Sequence, residues 1–236
     1  MAASEPKMAL LAGASGLIGS FLLDALLQAP DFGRIFAVTR RPIGREHPRL
    51  ANRIVVDFEK LPAQLKGTVC QVAFCCLGTT IRQAGSQEAF RRVDFDHVMS
   101  FAAAAKVAQA RRFVVVSSAK ADPASKTFYL RTKGELEGAL ATVGFESLDI
   151  LQPSLLLGWR NQMRPAELAA RLVAPLVNPF LFGERVVYRA IPARTVASAM
   201  IGAVRLGRRG VQKYTYTAIQ ALAKSKPART AGVAGG

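Results

Sequence analysis

The chain opens on a short apolar run, "KMALLAG", and then changes period. In "GLIGSFLLDALLQ" the apolar side chains recur at helical spacing. The same switch repeats along the sequence. The runs "RIFAVTR", "RIVVDF", "QVAFCCLG", "RFVVVSS" and "SLDILQPS" alternate with helical stretches, the longest from about Ser86 to Gln109 and another in "YLRTKGELEGALATV". Short apolar runs without a polar face, separated by amphipathic helices, predict strands covered on both sides and therefore a parallel sheet. The fold class is α/β: a doubly wound, Rossmann-like parallel sheet. After Pro153 the alternation weakens into a small C-terminal appendage. "GWRNQMRP" reads as loop, a helix is expected near 166–176, "RVVYRAI" as a further strand and "ARTVASAMIGAVRL" as a helix. From about Ser225 the chain is Lys, Pro, Ala and Gly, so residues 225–236 are expected to be a disordered tail. No internal repeat is present.

With 236 residues the chain has room for one sizeable α/β domain, 1–224, and too few for two. Half the residues are hydrophobic and 20% are charged, which excludes a disordered chain. Cys70, Cys75 and Cys76 form no CxxC pair and have no histidine at ligand spacing, which argues against a disulfide framework and against a metal site. Buried, reduced thiols are expected, and with them a cytoplasmic location. "MALLAGASGLIGSFLL" has no basic start beyond Lys7 and is broken by glycines, so it does not read as a signal peptide. "AELAARLVAPLVNPFLF" carries Glu167, Arg171, Asn178 and two prolines, wrong for a membrane span. It leaves room for an apolar surface facing a protein partner, a membrane or a second copy in a homodimer. The net charge of +16 draws anions: nucleic acid, anionic membrane, or a phosphorylated cofactor or substrate. The basic residues are spread along the chain without aromatic interleaving, so nucleic acid ranks last among these.

The first strand runs into "GASGLIG". Glycines between a strand and a helix allow a tight turn, and the N–H groups opening the helix can hold a pyrophosphate. Gly13, Ser15, Gly16, Leu17, Ile18 and Gly19 are the candidate phosphate cradle, in GxxGxxG spacing rather than GxGxxG. The second strand ends in "TRRP". Where an acidic residue would hold a ribose 2′-hydroxyl, Arg40 and Arg41 stand instead, and a guanidinium pairs with a 2′-phosphate; this points to NADP (NADPH) over NAD. Asp57 and Phe58, ending the third strand, could flank an adenine. Leu77, Gly78 and Thr79 in "CLGTT" would line the cofactor's middle ribose. Ser117 and Ser118 end the fifth strand, and Tyr129 and Lys133 share a helix face by i, i+4 spacing. Ligands of open parallel sheets bind outside the carboxyl ends of the strands, where every one of these groups falls.

Taken together, "GASGLIG", "TRR", "CCLGTT", "VDFDHV", "VSSAKAD", "FYLRTKGELE" and "LQPSLLLG" resemble the short-chain dehydrogenase/reductase superfamily, from about Lys7 to Ala221. The likeness is to the atypical branch of the Tat-interacting oxidoreductases and their small bacterial relatives. The resemblance implies an NADP(H)-dependent oxidoreductase that moves hydride to or from a small carbonyl or alcohol substrate. Tyr129 would exchange the proton, and Lys133 would supply a charge that favours the phenolate and would hold the nicotinamide ribose. Ser118 would orient the substrate oxygen, and Ser117 would contact the cofactor. Pro153, Leu156 and Arg164 would close over the nicotinamide and phosphates. Many members carry a relay asparagine on the long helix. Here "RRVDFDHV" offers Asp94 or Asp96, which puts that relay in doubt, and His97 reads as structural. Two other functions fit the same residues: an NADPH-binding regulatory or scaffold protein without turnover, and a nucleotide-sugar epimerase or dehydratase. About 80 residues after Pro153 are few for the latter's substrate domain.

Overall fold

The computed structural model describes residues 5–154, 156–157 and 189–225. Nine strands are found among them: β1 (Lys7–Ala12), β2 (Phe32–Thr39), β3 (Leu50–Ile54), β4 (Val72–Cys75), β5 (Arg112–Val116), β6 (Ser147–Leu151), β7 (Leu156–Leu157), β8 (Ile191–Pro192) and β9 (Gly210–Tyr214). Seven form one sheet in the order β3-β2-β1-β4-β5-β6-β9, while β7 and β8 pair separately. Every pairing is parallel. Strand order reverses between β1 and β4, which opens a crevice above their carboxyl ends.

The helices are α1 (Leu17–Gln28), α2 (Leu61–Gln64), α3 (Ile81–Ala84), α4 (Gln87–Arg91), α5 (His97–Val107), α6 (Phe128–Thr142), α7 (Ala193–Leu206) and α8 (Tyr216–Ala223). A 3₁₀ turn at Phe58–Lys60 precedes α2, and a π-turn at Arg92–Asp96 joins α4 to α5. The alternation of side chains along β1 divides the core. Ala9 and Leu11 pack with Leu22 and Leu26 of α1 and Val196 and Met200 of α7. Leu10 and Ala12 face the other way, onto Phe101 of α5 and Leu136 and Leu140 of α6. Each fully buried Leu or Phe contributes about 1.5–3 kcal/mol, and both layers are needed to bury both faces of the sheet. The doubly wound parallel class read from the sequence is the architecture found.

Local departures have physical causes. The third strand, expected at 53–58, spans Leu50–Ile54, because its register opposite β2 runs from Ile35↔Leu50 to Thr39↔Ile54. Val56 beyond it is 86% exposed. The long helix expected from Ser86 to Gln109 is divided by the π-turn. Strand β9 and helix α8 were not expected at all. The loop and helix expected at 158–176, most of the strand expected at 185–191, Arg164, and the tail from 226 lie outside the described residues.

Candidate active site

The turn after β1 is built by close backbone approach. Gly13 has φ +81°, and a Cβ there would lie 2.5 Å from the Cys76 carbonyl oxygen at the end of β4. A Cβ on Gly19 would lie 2.0 Å from the Gly13 oxygen, so α1 starts pressed against its own turn. The Gly16 N–H donates to the Gly13 oxygen at 2.9 Å. Gly16 caps α1 without any side-chain hydrogen bond, which leaves the first N–H groups of a twelve-residue helix for a ligand. Ser15 is exposed, Leu17 half-buried and Ile18 buried at this entrance. An uncapped helix start beside a side-chain-free turn fits a diphosphate.

Beyond β2 the turn bearing Arg40 and Arg41 is held from beneath. Thr39 Oγ1 donates to the Arg41 carbonyl at 2.8 Å, and Asn52 Nδ2 donates to Thr39 Oγ1 at 2.7 Å. Both arginines are exposed. Asp57 is occupied locally: its carboxylate accepts from the Glu59 N–H at 3.0 Å and lies 3.6 Å from Lys60 Nζ. Phe58 is buried and stacks on His97, with centroids 4.8 Å apart. Its ring is therefore a floor under this corner rather than an open wall. Burial, then the Arg40 charge, hold His97 below the ordinary imidazole value, which suits a packed residue.

At the other end, α6 carries Tyr129, Lys133 and Glu137 at successive i, i+4 positions. Lys133 is buried, and its Nζ lies 2.7 Å from Asp94 Oδ1. Asp94 Oδ2 accepts from the Thr79 N–H at 2.7 Å, which joins α6 to the turn after β4. Burial pulls the Lys133 ammonium down, but the Asp94 charge and then the coupling to Tyr129 outweigh it, and the net direction is up. Leu77 is half-buried and Gly78 exposed; a Cβ on Gly78 would lie 3.4 Å from Asp94 Oδ1. Tyr129 is half-buried, its ring 5.5 Å from that of Phe90. A Cβ on Gly134 would sit 2.2 Å from the Asp122–Pro123 backbone, so the loop after β5 lies directly on α6.

The two serines part company. Ser117 is buried and its Oγ donates to Glu137 Oε1 at 2.6 Å, so its hydroxyl proton is already engaged within the protein. Ser118 is half-buried, with one long contact of 3.4 Å to the Ala119 carbonyl. Pro153 is buried and its carbonyl accepts from the Ala119 N–H at 2.9 Å, while Leu156 packs against the core. Asn52 and Glu137 were not singled out in the sequence. Glu137 had a readable signal, its place one turn beyond Lys133 on the same helix face. Among the described residues no group of three or more His, Cys, Asp or Glu side chains could hold a metal ion. No helix among them is long and apolar enough to cross a membrane.

The sequence profile described as NAD(P)H-binding matches residues 13–205. The chain belongs to this NAD(P)H-binding family. Family relatives include Protein HTATIP2 of Rattus norvegicus, 36% identical over 84% of this chain and 81% of its own length. Protein fmp52, mitochondrial, of Emericella nidulans is 34% identical over 70% of this chain and 73% of its own. The likeness to the branch of the Tat-interacting oxidoreductases therefore holds. Solved structures share the NAD(P)H-binding architecture. UDP-glucose 4-epimerase of Thermotoga maritima, solved with UDP-glucose, has a TM-score of 0.66 at 14% identity, covering 93% of this chain and 84% of its own. A short chain dehydrogenase of Burkholderia cenocepacia, solved with NADP, has a TM-score of 0.61 at 16% identity, covering 91% and 90%. At these identities they speak for the fold alone. The cytoplasmic expectation is corrected by the fungal relatives, several of which are named mitochondrial. Buried reduced thiols suit any reducing compartment, so they never carried that distinction.

Proposed function

We propose that this NAD(P)H-binding protein is an NADP(H)-dependent oxidoreductase acting on a carbonyl or alcohol, with Ser118, Tyr129 and Lys133 as its reacting groups. The observation that carries the reading is the Lys133 ammonium, buried yet paired with Asp94 and electrostatically coupled to Tyr129 on the same helix. Burying a cation away from water is costly, and a cation one helical turn from a phenol is what proton exchange by that phenol requires. When bound, the nicotinamide supplies or accepts the hydride. Tyr129 gives its proton to the substrate oxygen in reduction and takes it back in oxidation; Lys133 stabilises the phenolate left behind. Ser118 donates to the same oxygen as its charge develops. Arg40 and Arg41 favour a 2′-phosphate over a bare ribose.

Calorimetric titration with NADPH and with NADH, followed by a panel of carbonyl and alcohol substrates, tests this reading. NADPH bound more tightly than NADH, with turnover of at least one panel member, is the expected result. Tight NADPH binding with no turnover across the panel favours the regulatory alternative, and binding of neither nucleotide rejects both.

A further inference from the structure

Asp94 reaches the site through an irregularity in its helix. The π-turn at Arg92–Asp96 adds a residue to the turn, its closing bond running from the His97 N–H to the Arg92 carbonyl. The result brings the Asp94 side chain to 1% exposure, against Lys133 at 4%. Single π-turns recur at functional sites because they re-aim one side chain. The Asp94 Oδ1 atom has no hydrogen-bond partner of normal angle; what faces it is the Lys133 charge at 2.7 Å.

Among the described residues no other anion is placed to do this. From β4, the Cys75 thiol faces Lys133, and burial pushes it up to about 12, so it is neutral. Glu137, one turn along α6, is taken by Ser117, Gln152 and Lys213. Glu135 pairs with Arg91 of α4 on the outer side, and Asp122 in the loop after β5 accepts from the Ala124 N–H. Tyr129 is the remaining titratable neighbour on α6.

We propose that Asp94 is the positioning residue that keeps Lys133 cationic inside the protein, and that without its carboxylate the lysine sheds its proton in the pH range where the site works. The inference rests on the reading of Lys133 as part of a Ser-Tyr-Lys site. The carboxylate is an acceptor only, so its part is electrostatic, unlike that of an amide passing a proton onward. Its second oxygen, on the Thr79 N–H, ties the ammonium to the turn that would line the ribose.

The test follows the lysine itself in the full-length protein, without cofactor or substrate. With 13C-labelled lysine, the Lys133 signal is assigned by its loss in Lys133→Gln and titrated in wild type and Asp94→Asn. The expected result is a fall in the Lys133 midpoint by about two units or more in Asp94→Asn, since a buried lysine without a counter-charge drops by up to ~3–5 units. An unmoved midpoint overturns the proposal.

Stability against pH gives an independent sign. In wild type the raised Lys133 value adds stability below the ordinary lysine value, lost as pH rises through the folded one. In Asp94→Asn the sign reverses: the unfolded chain binds more protons, so stability should rise with pH up to the ordinary lysine value. If Asp94→Asn does not fold, adding Lys133→Met should restore folding by removing the stranded charge. A double variant as damaged as the single one counts against the proposal. A Tyr129→Phe protein with wild-type turnover would reject the Ser-Tyr-Lys reading of the site while leaving these titrations untouched.

Discussion

The two ends of the crevice handle charge in opposite ways. On the β2 side, Arg40 and Arg41 are exposed, and only their backbone turn is fixed, through Thr39 and Asn52. On the β4–β6 side, charge is taken inside: Asp94 with Lys133, and Glu137 with Ser117, Gln152 and Lys213. Exposed guanidiniums lose little to desolvation and are ordered by whatever anion arrives. Buried pairs are ordered before any ligand, because a missing partner leaves a charge in low dielectric. On the proposed function, the first arrangement would select a ligand and the second would pre-set geometry for chemistry. Substitutions should therefore separate cleanly, affinity on one side and turnover or stability on the other.

The largest effect tests the chemical end. Tyr129→Phe removes the exchangeable proton and keeps the ring against Phe90. Turnover should fall by about 10²–10⁴-fold, with NADPH affinity unchanged by calorimetry. Wild-type turnover would place the chemistry elsewhere. Next comes Glu137→Ala, which leaves Ser117 and Gln152 without their acceptor and Lys213 without its partner. Lys213 is 52% exposed and keeps much of its hydration, so a loss of about 3 kcal/mol, at the lower edge for a broken buried pair, is expected in urea unfolding. Glu137→Gln still accepts from Ser117 and should lose less. Equal losses for Ala and Gln would mean that the charge, which both variants remove, carries the whole contribution.

How far these groups could be read from the sequence follows from how local each signal is. The strands β1, β2, β4, β5 and β6 were legible because a strand covered on both faces is largely apolar; β3, an edge strand with no buried residue, was read three residues late. Strand β9 was not legible: in "GVQKY" only Tyr214 is buried, and an edge strand half in solvent has no apolar run to betray it. Tyr129 and Lys133 were singled out by i, i+4 spacing together with their place just after the fifth strand, where the other candidate groups fall. The π-turn was not, since it shifts the helical period by one residue without a glycine or proline to mark it. The family likeness separated Ser118 from Ser117 in the sequence, but the partner that engages the Ser117 hydroxyl was hidden: it is Glu137, twenty residues away on α6.

A smaller effect tests the selective end. Arg40→Ala with Arg41→Ala should weaken NADPH by about tenfold or more, the scale of one or two charge-assisted hydrogen bonds at an exposed site. NADH binding and urea stability should stay near wild type, because neither guanidinium holds the fold. Equal loss for both nucleotides would remove the 2′-phosphate role. Loss of stability would blur the contrast between the two ends.

The smallest effect calibrates the contrast at a pair remote from both ends. Asp31, just before β2, is gripped by Arg205 of α7 through bonds of 2.8 and 3.0 Å. The Arg205 hydrogen bond holds the Asp31 carboxyl below its ordinary value of 3.8, against the opposing pull of burial. A depressed acid contributes stability above its unfolded value and loses it as pH falls through the folded one. Both side chains keep partial contact with water, at 17% and 25% exposure, so the contribution should be about 1 kcal/mol at neutral pH. Arg205→Gln should show that deficit in urea unfolding at pH 7, shrinking as pH falls through the depressed Asp31 value. A deficit that persisted undiminished in acid would assign Arg205 to packing against α1 and α8 instead. It would also warn that the losses at Glu137 need the same acid control before they are attributed to charge.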